Sequence, residues 1–580
     1  MASTGASPPL KSIFSNGLKS ITSHALNTDL DAQKSQIRDV HSHIPIDTRV
    51  AVKQQHLDDD EILALAGYKH ELKRHFGPFN MVGVAFSIMS VLPSIASVLG
   101  QCYSINGALW GWLIASCCIF CIGLCMSELA SAIPTAGGLY YWTYHYSPDW
   151  LRVPLSFVVG NTNSIALTGA LCSIDYGFAK EILSIVYIAK DGDFEITDPI
   201  TYGVYVACIV SHVITACIAS YGVAKLQSLS VVCNVSLVIF FVIVLLVGTK
   251  HKNNAEWVFA NTQNLTDWPT GWAWVYNGFM PAIWTIGAFD SCVHMSEEAH
   301  NATKNVPIGI LGSISATGSL GFIILIVCSF CINPDLNSVI STGSGQPMAQ
   351  LIYDALGKRW TIAFMVLIAI CQWLMGASTI TATSRQIWAF SRDNGLPFSS
   401  IVKVVNSKLK VPIRAIIFGG ILAVLLGLLC LIGPTAANAL FTLYICGNYF
   451  AWQTPIILRL YRTWDKNPET RFKPGTFYLG DIMSPIVNIF TVLFTNFTII
   501  MAMFPTSRTV DKETMNYTIV ITGGTWLLSA AYYFLYAHKT YHGPRNTLNS
   551  ADPADSIDGE KADHIDQVLE SSEDEKFRSA

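Results

Sequence analysis

Residues 76–127 contain no Asp, Glu, Lys or Arg, and that run limits what this chain can fold into more than any other feature. A helix that crosses a bilayer needs roughly 20 mostly apolar residues, because the hydrocarbon core is about 30 Å thick. The run is long enough for two such helices with a turn near Gly100–Asn106. The same reading finds spans at 153–174, at 199–224 and 226–249 either side of Lys225, and at 268–289, 308–334 and 361–384. A long run at 415–458 divides at Gly433-Pro434, and 482–507 and 514–537 complete the set. The sum is an all-α integral membrane protein of twelve transmembrane helices. The 13% share of charged residues agrees, since soluble domains carry about 25%.

Lys and Arg set the orientation. With the N-terminus inside, Arg392, Lys403, Lys408, Lys410 and Arg414 share one inner loop, and Arg459, Arg462, Lys466, Arg471 and Lys473 another. The predicted outer loop near 190–198 is acidic. Both termini are therefore expected in the cytosol. Residues 1–75 read as a disordered polar tail without a cleavable signal, 76–542 as the twelve-helix domain, and 543–580 as an acidic tail. The tails are candidate sites for modification and for trafficking partners. Asn264-Leu-Thr and Asn516-Tyr-Thr fall outside in this topology and are candidate glycosylation acceptors. The plasma membrane and the vacuolar membrane both fit.

Several function classes find no support. No phosphate-binding loop, HExxH or GxSxG motif is present. No cysteine pair has zinc spacing with other ligands nearby, and the fifteen cysteines read as small apolar packing residues. The net charge of −4 gives no nucleic-acid footprint. No enzymatic activity, cofactor, metal or nucleic-acid partner is expected; the lipid bilayer is.

Asp290 stands in Trp284-Thr-Ile-Gly-Ala-Phe-Asp-Ser291, inside an otherwise uncharged apolar segment. A charge at the bilayer centre costs about 2.5–3.5 kcal/mol on insertion scales, so such a residue is a functional candidate. Gly287 weakens helix continuity there, and Pro281 removes a backbone donor. The first span carries a comparable interruption, with Ser87, Ser90, Pro93 and Ser94. Two broken helices in corresponding halves are the best sequence pointer to a midplane binding site in a secondary transporter.

Three further segments carry a family resemblance: Ser127-Glu-Leu-Ala-Ser-Ala-Ile-Pro-Thr-Ala-Gly-Gly-Leu-Tyr-Tyr-Trp142, Glu297-Glu-Ala-His-Asn-Ala-Thr-Lys-Asn-Val-Pro307 and Arg385-Gln-Ile-Trp-Ala-Phe-Ser-Arg-Asp-Asn-Gly-Leu-Pro397. They resemble, in order, signatures of the amino acid–polyamine–organocation transporters, over about residues 65–545. Cys172-Ser-Ile-Asp-Tyr-Gly and Phe289-Asp-Ser-Cys-Val-His bring the likeness nearest to the fungal GABA-permease group of the amino acid/choline branch. The resemblance implies a five-plus-five inverted repeat with broken first and sixth helices and two added helices. It implies alternating access, small amino acids or amines as cargo, and proton coupling.

By that resemblance, amides around Ser87, Ile88, Met89 and Ser90 hold the substrate carboxylate. Carbonyls of Ile286, Gly287 and Ala288 hold its ammonium, and Trp284 closes over it. Two departures stand out. The Gly-Ser-Gly often found in the first helix is Ser87-Ile88-Met89 here, and a lysine of some relatives in the fifth helix is Asn234. A coupling proton then falls to a carboxylate. Asp290 is first, because burial favours the neutral acid; Asp175 is second, or an ammonium contact. Glu128 is expected at a wet helix end, and Glu181 exposed. Glu297, Glu298, Arg385, Arg392 and Asp393 are expected to form ion pairs that close an inner gate. His212 and Gln372 are expected to be satisfied by neighbouring helices. The function expected is a secondary transporter for GABA or a related small amine. The alternatives are a polyamine- or choline-type permease and, less well supported, a non-transporting amino-acid receptor.

Overall fold

A computed structural model describes residues 59–101, 105–218, 222–467, 470–505, 508–511 and 515–545. Among these residues the chain is helical, with one isolated parallel bridge between Phe76 and Ala299 and no strand. The first span is two helices, α1 (Pro78–Met89) and α2 (Val91–Val98). Next come α3 (Ile105–Ala132), α4 (Gly138–Tyr146), α5 (Arg152–Ala189), α6 (Asp198–Ile218) and α7 (Gly222–Gly248). The segment around Asp290 is again two pieces, α8 (Thr270–Thr285) and α9 (Ser291–His294). Then follow α10 (Ala302–Cys331), α11 (Lys358–Arg392), α12 (Ile413–Leu426), α13 (Pro434–Thr463), α14 (Met483–Ala502) and α15 (Thr518–Leu535).

Ten described helical segments are long and apolar enough to cross a membrane, counting α1 and α2 as one. The broken α8–α9 pair and the 30-residue α13, opened by Pro434 after Gly433, are further membrane-scale segments outside that ten. Apolar side chains cover much of the outside as well as filling the core. Along α7, Val232, Ile239, Ile243 and Val247 are exposed, which suits a helix facing lipid as apolar as its side chains. Helix α5 is buried over most of its 38 residues and packs on α11 and α13. At about 1.5 Å per residue it spans about 57 Å, well beyond the hydrocarbon core. It therefore runs far past the expected 153–174. Lys225 sits inside α7 rather than between two helices.

The N-terminal approach is more ordered than its polarity suggests. The helix Asp59–Leu65 is described, and Leu63, Tyr68, Leu72 and Phe76 are all buried. Leu72 packs with Ile387, Trp388 and Val402 beneath the end of α11. The expected disordered tails at residues 1–58 and 546–580 lie outside the described residues. Within the C-terminal part, Tyr541 is buried with its hydroxyl 2.9 Å from Ser156 Oγ, and the Arg545 amide donates to Asp393 Oδ1 at 3.0 Å. At both candidate glycosylation sites the acceptor nitrogen is engaged. Asn264 donates to Trp268 C=O, and Asn516 donates to the carbonyls of Ala502 and Phe504.

Glu128 corrects the sequence reading. It is fully buried, and Arg459 of α13 donates to it at 2.9 Å. The Ser484 hydroxyl (2.7 Å) and the Leu479 amide (3.0 Å) complete its shell. The Arg459 guanidinium also lies over the Phe472 ring, 4.0 Å from its centroid. A carboxylate at the end of α3 is buried because a distant helix brings it a cation. Removing one partner of a buried pair strands the other and costs about 3–5 kcal/mol. Glu128→Ala is therefore expected to lower the thermal aggregation midpoint of the purified protein markedly; an unchanged midpoint contradicts the pairing. Glu181 is likewise buried, not exposed as expected.

Candidate substrate site at two facing helix breaks

Ser90 separates α1 from α2 in the left-handed region (φ 34, ψ 71). For a non-glycine residue that conformation costs about 1–3 kcal/mol and is held only by its surroundings. Here the hydroxyl of Ser90 donates to Asn234 Oδ1 of α7 at 2.7 Å, and its amide to Phe86 C=O at 2.9 Å. The first bond into α2 is Ser94 N–H to Ser90 C=O. The amides of Val91 and Leu92 precede it, at the positive end of the half-helix, and Pro93 has none. The break thus offers amides just after Ser90, whereas Ser87, Ile88 and Met89 lie within α1. Asn234 braces the break through its side-chain amide oxygen.

The second break runs Ile286-Gly-Ala-Phe-Asp290. Ile286 ends α8 with φ −88 and ψ 54, and Ala288 is left-handed at φ 56. The Ala288 carbonyl accepts from Ser291 N–H at 3.1 Å. Gly287 is required by close approach. A Cβ there would lie 2.0 Å from the Tyr444 hydroxyl and 2.9 Å from its Cζ. Gly287→Ala is therefore expected to cut uptake tenfold or more at normal expression, with partial recovery on adding Tyr444→Phe. Normal uptake by Gly287→Ala contradicts this packing.

Between the breaks lies a small space lined by Ile88, Ala170, Ile174, Trp284, Thr285, Gly287, Ala288, Met375 and Tyr444. Its walls are apolar apart from the Thr285 and Tyr444 hydroxyls, the Trp284 indole N–H and exposed backbone. The Trp284 ring packs on Phe441 with centroids 5.0 Å apart, and its Nε1 is buried without a hydrogen-bond partner among the described residues. The same holds for the Thr285 hydroxyl. Of the residues named from sequence, Ile88, Trp284, Gly287 and Ala288 reach this space. Ser87, Met89, Ser90 and Ile286 are buried around it without lining it, and Asp175 and Asp290 do not line it.

Asp290 lies at the start of α9, completely buried. Asn163 of α5 donates to its Oδ2 at 3.2 Å and to Asn448 Oδ1 of α13 at 3.0 Å. One turn on, His294 brings Nε2 to 3.6 Å from the same carboxylate oxygen, while Nδ1 lies 3.1 Å from Ala136 C=O. A carbonyl can only accept, so hydrogen-bond geometry assigns the Nδ1 proton. The lone pair of neutral Nε2 then faces the carboxylate. One proton, on Nε2 or on the carboxyl, makes that contact attractive. His294, Asn163, Asn448 and Tyr444 were missed in the sequence reading. Only His294 carried a signal, its spacing of four from Asp290.

Asp175 faces His212 of α6, whose Nδ1 is 3.3 Å from Oδ1, rather than the space between the breaks. His212 Nε2 is 2.9 Å from Trp373 C=O, and Gln372 donates to Ile174 C=O at 2.9 Å. His212 is satisfied by neighbouring helices, as expected; Gln372 is bonded through Nε2 only, and its Oε1 is buried without a partner among the described residues. Below the breaks, the five charged residues named from sequence come together. Arg385 and Glu298 pair at 2.7 Å, and Arg392 clasps Glu297 through two bonds of 3.1 and 3.0 Å. Glu297 also accepts from Ala136 N–H, and Arg392 lies over the Tyr68 ring. Asp393 accepts from Tyr140 (2.7 Å) and Tyr68 (2.9 Å). Burial pushes the Asp393 carboxyl above its usual range, against the pull of Arg392 and of the donors around it.

A bundle of membrane-length helices with two facing breaks around a buried space defines a permease. The chain belongs to the amino acid permease family, whose profile matches residues 76–525. It is 48% identical over 524 residues to a GABA-specific permease of Saccharomyces cerevisiae, covering 89% of this chain and 90% of that protein. An uncharacterised amino-acid permease of Schizosaccharomyces pombe is 30% identical over 88% of this chain and 93% of its own length. A candidate polyamine transporter of Candida albicans is 28% identical over 89% and 94%.

Proposed function

We propose that this permease imports GABA, or a closely related small amino acid, by alternating access about the two breaks and with proton coupling. The observation that carries the substrate is the 48% identity to a GABA-specific permease over nine-tenths of both chains. The site is compatible with a zwitterion. The Val91 and Leu92 amides present positive dipole ends suited to a carboxylate, and carbonyls of the second break are suited to an ammonium. Trp284 is assigned the role of closing over the cargo. Asp290, with His294, is assigned the coupling proton, because the pair is buried, adjoins the break and has a place for one proton. The Arg385–Glu298 and Arg392–Glu297 pairs are assigned the inner gate. The arrangement is read as twelve spans, five plus five inverted and two added, with both termini cytosolic and the plasma or vacuolar membrane as residence.

The likeness to a candidate polyamine transporter supports a second reading, a polyamine or choline-type permease. A cation lacking a carboxylate gains nothing from the amides after Ser90. In uptake of labelled GABA, unlabelled GABA is expected to compete far better than putrescine or choline. Stronger competition by putrescine or choline overturns the first reading for the second. A chain without residues 1–60 and 550–580 is expected to keep its flux, as a signalling receptor would not.

A further inference from the structure

We propose that Asp175, Cys208 and His212 form a binding site for a divalent transition metal of the zinc class, held between α5 and α6 beside α11. The three side chains are buried and their ligand atoms converge. Asp175 Oδ1 is 3.3 Å from His212 Nδ1 and 3.6 Å from Cys208 Sγ, and Cys208 Sγ is 3.9 Å from both ring nitrogens of His212. Tetrahedral zinc bonds of about 2.0–2.3 Å put neighbouring ligand atoms about 3.3–3.7 Å apart. The carboxylate and Nδ1 already have that spacing, and Cys208 Sγ, equally far from both ring nitrogens, reaches the ion once its side chain turns toward the Nδ1 edge of the ring. One thiolate, one imidazole and one carboxylate suit zinc or cobalt and not magnesium or calcium.

Three further observations support the site. His212 Nε2 is pinned by Trp373 C=O at 2.9 Å, which leaves Nδ1 as the ligand atom and fixes the ring, as second-shell carbonyls do for metal-bound histidines. Gly376 of α11 supplies the room. A Cβ there would lie 2.3 Å from His212 Cε1 and 2.7 Å from Asp175 Oδ1. Glu181, further along α5, is buried with neither oxygen hydrogen-bonded among the described residues, and it is near enough to Cys208 to interact with it electrostatically. The thiolate and Asp175 would bring two negative charges to the ion. Loading exchanges the thiol proton for the metal: the S–H bond breaks, a sulfur–metal bond forms, and the proton leaves to solvent. The site lies outside the space between the breaks and ties together three helices that flank it.

The test uses the purified full-length chain in detergent, titrated with Co²⁺ as probe. A single metal per chain is expected, with a thiolate-to-cobalt charge-transfer band that is lost in Cys208→Ala and weakened in Asp175→Asn. Zinc X-ray absorption on the unmutated protein needs no variant, and one sulfur with nitrogen and oxygen neighbours is expected. No stoichiometric metal overturns the proposal and leaves a hydrogen-bonded Asp–His pair. A band unchanged in Cys208→Ala, or a zinc shell without sulfur or with several sulfurs, overturns it as well.

Discussion

Asp290→Asn is expected to abolish accumulation of substrate against its gradient while leaving downhill exchange. A zwitterion carries no net charge, so the membrane potential acts on it only through a co-transported ion. One proton crossing 100 mV contributes about 2.3 kcal/mol, which is about 50-fold accumulation. Asp290 is the carboxylate proposed to carry that proton. It is fully buried, receives one amide from Asn163, and faces the Nε2 of His294. An asparagine keeps the volume and can still hydrogen-bond, but it cannot carry a proton. In vesicles the accumulation ratio is expected to fall from tens to about one and to lose its dependence on external pH, with counterflow retained. His294→Gln is expected to shift the pH profile without removing it, since the carboxylate remains. Accumulation by Asp290→Asn that is unchanged and still pH-dependent removes Asp290 from the coupling step.

Arg392→Met is expected to open the inner side. Glu297 would then lose both guanidinium bonds while staying buried, and stranding one partner of such a pair costs about 3–5 kcal/mol. If that cost falls on the state in which the pair forms, the balance shifts toward the opened state by about 100-fold or more. Cys292, at the start of α9 with its thiol 3.3 Å from Met81 C=O, is a native reporter. An impermeant thiol reagent applied from the cytosolic side should modify Cys292 much faster in Arg392→Met, as located by mass spectrometry. Uptake should fall at least tenfold. Adding Glu297→Gln should recover part of the protection, because no charge is then left unpaired. Equal protection in the single variant and the unmutated chain contradicts the gate.

Much of the helix pattern was legible because the bilayer allows so few solutions. A charge-free run has to be a helix there, and Pro281 with Gly287 marks where one fails. The first break was located to within a few residues, but not its polarity. The amides expected to be free were those around Ser87–Ser90, whereas the break falls at Ser90 and the first-turn amides are those of Val91 and Leu92, a few residues on. The Arg385–Glu298 and Arg392–Glu297 pairs were legible because opposite charges stood at the ends of apolar runs. Glu128 was not, because Arg459 is far along the chain and a juxtamembrane carboxylate reads as wet unless its cation is known. Glu181 was misjudged for a related reason. It falls beyond a normal span length, and only the unusual run of α5 keeps it inside. Asn163, Asn448 and Tyr444 are ordinary residues in apolar helices, brought to Asp290 or to the second break by tertiary packing alone.

Whether this permease carries GABA uphill on a proton gradient is tested most directly with purified protein in proteoliposomes. Labelled GABA is supplied outside, with and without an inward proton gradient and an inside-negative potential. Accumulation above equilibrium is predicted only when the driving force is imposed, and it should collapse on adding a protonophore. Absence of GABA flux, in vesicles shown to hold correctly oriented protein, contradicts the claim.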